Sequence, residues 1–97
     1  MATRIEVDGS RRTVHPRDGR SFTLAEIYEH VGCETVELLH LADGNLLWMD
    51  EEAKLQTPRK AANLDATALL HDAGGVAWDF VLGPVLVTTP IEGGEEP

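Results

Sequence analysis

Residues 21–50, SFTLAEIYEHVGCETVELLHLADGNLLWMD, contain one helix and one hairpin whose reading decides the fold. Thr23 is placed to cap a helix over about 24–31. Glu26, three residues on, can return a bond to the Thr23 amide, the reciprocal pattern of a capping box. Phe22 before the cap and Ile27 after it have the spacing of a hydrophobic staple. Leu24, Ile27, Tyr28 and Val31 recur at i, i+3, i+4 and i+7. That period predicts Leu24, Ile27 and Val31 packed on a sheet, with Glu26, Glu29 and His30 facing outward. Gly32 predicts a left-handed helix end. The second half is two apolar runs, about 35–41 and 46–50, parted by Ala42, Asp43, Gly44 and Asn45. The Asp-Gly pair predicts a tight hairpin turn in which both residues take positive φ.

Working outward, TRIEV (3–7) alternates apolar and polar residues, and Gly9 and Ser10 part it from a polar strand candidate, RRTVH, ending at Pro16. Arg17 to Arg20 read as a turn. After the central hairpin, residues 51–63 lack a period and contain Pro58, so they read as a loop. Asn63 can cap a short helix, LDATALLH, with Gly74 and Gly75 at its exit. The closing stretch VAWDFVLGPVLVTT is β-branched and aromatic, and Gly83 and Pro84 in it require a bulge, a bend or an edge position. The expected order is ββαββαβ: an α+β fold with a small mixed or antiparallel sheet and the long helix covering one face. Residues 1–90 form a single domain in this reading, and 91–97 a loose acidic tail.

With 97 residues, 42% hydrophobic and 26% charged, the composition is that of a globular chain. Folding at this length hides roughly two-thirds of the unfolded surface. A deep substrate cavity would compete with the core for residues, so a binding surface is expected before a buried pocket. The first ten residues carry charge and no long apolar run, which argues against a secretory signal or a membrane span there. Cys33 is the only cysteine, fitting a reducing, cytoplasmic setting and the role of a buried small hydrophobe.

Net charge is −9, and it falls in blocks. Residues 1–20 carry five arginines, while residues 21–53 hold eight acids and no Lys or Arg. Lys54, Arg59 and Lys60 follow, and then residues 61–97 again hold acids alone. Such a surface repels phosphate backbones, so direct nucleic-acid binding is disfavoured and a basic protein partner fits better.

The familiar catalytic and cofactor motifs are absent: GxGxxG, GxxxxGK, HExxH and CxxC do not occur. His30 and Cys33 have the spacing of two metal ligands, but His15, His40 and His71 are scattered and supply no third. No cofactor and no metal are expected. Asp50, Glu51 and Glu52 cluster after a strand without the spacing of a calcium loop. Trp48 and Trp78 are core candidates, or anchors for a partner if exposed beside the acids. Arg11, Arg12, Arg17, Lys54, Arg59 and Lys60 could converge as a basic patch, with self-neutralisation by the acids the first expectation.

The helix FTLAEIYEHVG, the hairpin ELLHLADGNLLWMDEEAKL with its acidic exit, the short NLDATALL helix and the closing VLGPVLVT strand together resemble a family of small uncharacterised domains from bacteria, their phages and conjugative elements. The resemblance runs from about Ile5 to Thr89, and TPRKAA (57–62) departs from the family's usual Gly- or Leu-containing connection. It implies no catalytic residues. It implies a context in which small acidic proteins act by occupying a host protein, in some cases by offering carboxylates in place of phosphates to a nucleic-acid-binding surface.

The functional expectation is a non-enzymatic binding module whose acidic face, Glu26, Glu29, Glu34, Glu37, Asp43, Asp50, Glu51 and Glu52, meets a basic protein surface. A self-associating structural protein is the alternative. A metal-dependent enzyme using Asp50 to Glu52 with a histidine is the third reading.

Overall fold

A computed structural model describes residues 2–53, 60–74 and 80–94. Strands β1 (Ala2–Ile5) and β2 (Arg11–Val14) precede helix α1 (Leu24–Val31). Strands β3 (Val36–His40) and β4 (Leu46–Asp50), helix α2 (Leu64–Asp72) and strand β5 (Val85–Thr88) follow. The five strands form one sheet in the order β2-β1-β5-β4-β3, every pairing antiparallel, so the fold is α+β with the element order ββαββαβ.

Side chains alternate across a strand, and here both faces of the sheet are covered. Leu46 and Trp48 of β4 pack with Phe22, Ile27 and Val31 around α1, whereas Leu47 and Met49 pack with Ala66 and Leu70 of α2. That is why LLWM shows no polar alternation: a strand buried on both sides needs apolar residues at every position. All of β4 is buried, while β2 is almost wholly exposed. Each Leu or Ile so buried contributes about 1.5–3 kcal/mol relative to exposure. β5 is central in the sheet; Gly83, with φ 81°, and Pro84 lie just before it. Leu82 makes an isolated bridge to Ala62 there.

The ends of α1 follow the sequence closely. Thr23 caps it in a full capping box with Glu26, and Gly32 ends it at φ 74°. Three side chains depart from the predicted faces. Leu24 is 52% exposed, and Glu26 is buried rather than outward. His30, also predicted to face outward, is half-buried, its ring edge-on to Phe22 at 5.7 Å. Burial, and then the nearby Arg4, lower its pKa, so His30 is neutral at pH 7.

The central hairpin turn also differs from the tight form expected. No described residue other than glycine has positive φ. The Leu41 N–H donates to the Asn45 carbonyl at 2.8 Å and Gly44 N–H to that of Leu41 at 3.0 Å. This is a three-residue loop with only Gly44 left-handed, and Asp43 serves instead by accepting the Asn45 N–H at 2.9 Å. The β1–β2 hairpin repeats the device: Glu6 and Gly9 make the two backbone bonds, and Asp8 accepts from Ser10.

Thr89 to Gly94, partly assigned to the tail by sequence, forms a turn in which Thr89 and Glu92 each bond the other's backbone N–H. Gly93 sits so close to Leu46, Thr88 and Trp48 that a Cβ there would lie 2.6–3.1 Å from them. The predicted loop segment 54–59, Trp78 and its neighbours, and the last three residues lie outside the described residues.

Candidate functional site

The eight acids of residues 21–53 divide into two groups with different partners. Glu26 accepts the Thr23 N–H on Oε1 and the Arg17 N–H on Oε2, each at 3.0 Å, and these bonds hold its pKa below the usual carboxylate range. It therefore belongs to the helix start and to the turn before it. Glu29 meets the Arg17 guanidinium at 2.7 Å on the surface, an ion pair of small energetic weight. Asp50 is enclosed as well: its side chain is 1% exposed, and Oδ2 lies 2.9 Å from Lys60 Nζ. The same ammonium donates to the Gly32 carbonyl at 2.6 Å, satisfying an orphan carbonyl at the end of α1. Lys60 thus ties the α1 terminus to the end of β4. Its stem runs against Gly83, where an added Cβ would come within 2.6 Å of the Lys60 chain.

The second group is Glu34, Glu37, Asp43, Glu51 and Glu52. All are exposed and none makes an ion pair among the described residues. Their places follow from the hairpin. Glu34 lies just before β3, Glu37 within it and Asp43 in the turn after it. Glu51 and Glu52 follow β4, with the Glu51 N–H bonded to the Thr35 carbonyl at 3.0 Å. Since β3 is a sheet edge among the described residues, these carboxylates border a strand that pairs there on one side only. Between Glu37 and Glu51 opens a cavity of about 80 Å³, walled by Met49, Leu70, Phe80 and Val81. It is well short of the roughly 300 Å³ of an ordinary small-molecule site, but has room for one side-chain head group.

The predicted basic patch does not assemble from the described residues. Arg11 and Arg12 lie on β2 at the far edge, near Asp65 (3.7 Å) and Glu6 (3.4 Å) respectively, while Lys60 is held by Asp50 across the sheet. Lys54 and Arg59 fall outside the described residues. Trp48 is a core residue, 8% exposed, and its indole N–H donates to Thr88 Oγ1 at 3.1 Å. No group of three or more His, Cys, Asp or Glu with metal-holding geometry occurs among the described residues. Burial, and then the neighbouring Asp50, push the Cys33 thiol up from its usual pKa, so it is protonated at neutral pH.

Two residues that hold the fold together were not singled out for these roles. Lys60 stood in a short basic stretch with no spacing signal toward Asp50 or Gly32. Asn63 was legible as a helix cap, but its side chain is fully buried and its Nδ2 also donates to the carbonyls of Ile5 and Gly83 at 3.1 and 3.0 Å.

The molecule is thus an α+β domain with a five-stranded antiparallel sheet between two helices and an acidic sheet edge. Residues 3–97 match the family of domains of unknown function DUF3846, and the chain belongs to it. No curated protein and no solved structure matches the chain. No helix among the described residues is long and apolar enough to cross a membrane.

Proposed function

We propose that the chain is a non-enzymatic binding module that engages a basic protein surface through the β3 edge and its carboxylates, Glu34, Glu37, Asp43, Glu51 and Glu52. The observation that carries this reading is their lack of ion pairs among the described residues, while Glu26, Glu29 and Asp50, from the same acidic stretch, are each bonded within the fold. Unpaired carboxylates along one edge add their fields and speed the approach of a cationic partner. The cavity between Glu37 and Glu51 suits the head of one lysine or arginine, whose stem would lie against Leu70 and Phe80.

A basic surface of the kind used to grip nucleic acid is the natural counterpart, with carboxylates standing in for phosphates. A reducing cellular interior and a role in phages or other mobile elements belong to the same proposal. The test captures partners from host extract with the wild-type chain and with a variant carrying Glu34→Lys, Glu37→Lys and Glu51→Lys. The expected result is loss of one or more basic proteins from the variant's set, and in the wild type their release by modest salt. An identical set from both chains would overturn the reading.

A further inference from the structure

The two edges of the sheet carry opposite charge. β2 presents Arg11 and Arg12, and β3 presents Glu37, with Glu34 just before it. Four successive antiparallel pairings separate these strands, so they run in the same direction. The register goes further. Arg11 pairs with Ile5, Ile5 with Val85, and Glu37 with Met49. One step beyond the Trp48–Leu86 pair, Met49 stands opposite Val85. Arg11 and Glu37 are therefore the two ends of a single row of residues across the sheet, on the face that α2 covers.

We propose that the chain associates with a second copy of itself head to tail, β2 of one copy adding in parallel to β3 of the next. A shift of five strand spacings, about 24 Å, with no slip along the strands, sets the second copy's Arg11 directly beside Glu37. Backbone phase agrees. The bonds of Leu41 to Asn45 and of Glu51 to Thr35 mark alternate β3 residues as facing β4, which leaves the Leu38 backbone facing outward. By the same alternation from the Glu6–Ser10 bond, Arg11 and Thr13 face outward from β2. Leu38 then lies opposite Arg12, flanked by the two outward residues a parallel ladder needs.

A like-edge dimer through two β3 strands is disfavoured, because it gathers the exposed carboxylates of both copies. The head-to-tail contact does not close on itself. The twist of each sheet turns successive copies, giving short open ladders whose growth the charge of −9 on every chain restrains. The contact shares β3 with the proposed basic partner but does not depend on that partner.

Sedimentation velocity on the full chain from about 10 µM to about 1 mM should show a rising weight-average coefficient, as expected of weak association. Glu37→Arg and Arg11→Glu, each with an unchanged melting temperature, should each weaken association by about tenfold, since each turns a cross-strand attraction into repulsion. Mixing the two variants should restore it, because each then offers the charge the other lacks. A constant coefficient in the wild type, association that survives both reversals, or a mixture that fails to recover would overturn the proposal. Arg11→Glu leaves the β3 carboxylates intact, so loss of self-association there leaves the basic-partner reading standing.

Discussion

Glu26 and Glu37 sit in the same acidic stretch, one at the start of α1 and the other on the edge of the sheet. Glu26 is enclosed and accepts two backbone N–H bonds; Glu37 is exposed, without an ion pair among the described residues. The difference lies in the backbone around each. A helix start leaves N–H groups without partners, and a carboxylate within reach is drawn in to accept them. The backbone of Glu37 itself faces β4 in the ladder, so no orphan N–H beside it draws its carboxylate inward and it stays in solvent. Residue type alone therefore does not tell structural acids from those free to meet a partner.

The sharpest way to break this contrast is at the acid that is paired with a lysine inside the fold. Asp50→Ala leaves the Lys60 ammonium, itself only 24% exposed, without its carboxylate and loosens its hold on the α1 terminus. A loss of about 3 kcal/mol in chemical denaturation is expected. A loss below about 1 kcal/mol would show that water replaces the pair.

Next comes Glu26→Lys, which removes the acceptor of two backbone N–H groups and places a cation at the positive end of a helix. The melting temperature should fall by roughly 5–10 °C. The outward position that the helical period predicts for Glu26 would make this reversal mild; its buried, bonded position makes it costly.

Acidification should act through the same group and through His30. Glu26 has a lowered folded pKa, so its contribution is present above the unfolded carboxylate pKa and is lost as pH falls through the folded value. His30 is lowered too, so the unfolded chain takes up that proton first, and stability declines as pH drops below about 6.5. Titration of the His30 ring by NMR should give a midpoint below the ordinary histidine value. A midpoint at or above it would show that Phe22 does not shield the ring.

The smallest effect on stability belongs to the free acids. Glu34→Lys, Glu37→Lys and Glu51→Lys should each change stability by no more than about 0.5 kcal/mol, even though the three together are expected to abolish partner capture. A large thermal shift from any one would mean that it is a structural acid after all.

The capping box of Thr23 and Glu26, the left-handed Gly32, the Asn63 cap and the order ββαββαβ were legible because each rests on residues a few positions apart, where local geometry leaves few choices. The exposure of Leu24 and the burial of Glu26 were not, since a helical period marks an apolar stripe without saying which of its residues is covered or which acid accepts backbone N–H groups from the preceding turn. The turn at Asp43 and Gly44 was placed correctly and given the wrong geometry, because Asp-Gly serves both a two-residue turn and a three-residue loop.

The sequence by itself determined the elements, their ends and the segregation of charge into blocks. Tertiary structure alone decided that β5 runs through the middle of the sheet, that Lys60 neutralises Asp50 while closing α1, and that Arg11 and Glu37 end one row on opposite edges. Those relations join residues far apart in the chain. No spacing encodes them, because they arise from strand order and register, which are set by the two apolar faces of the sheet being buried at once.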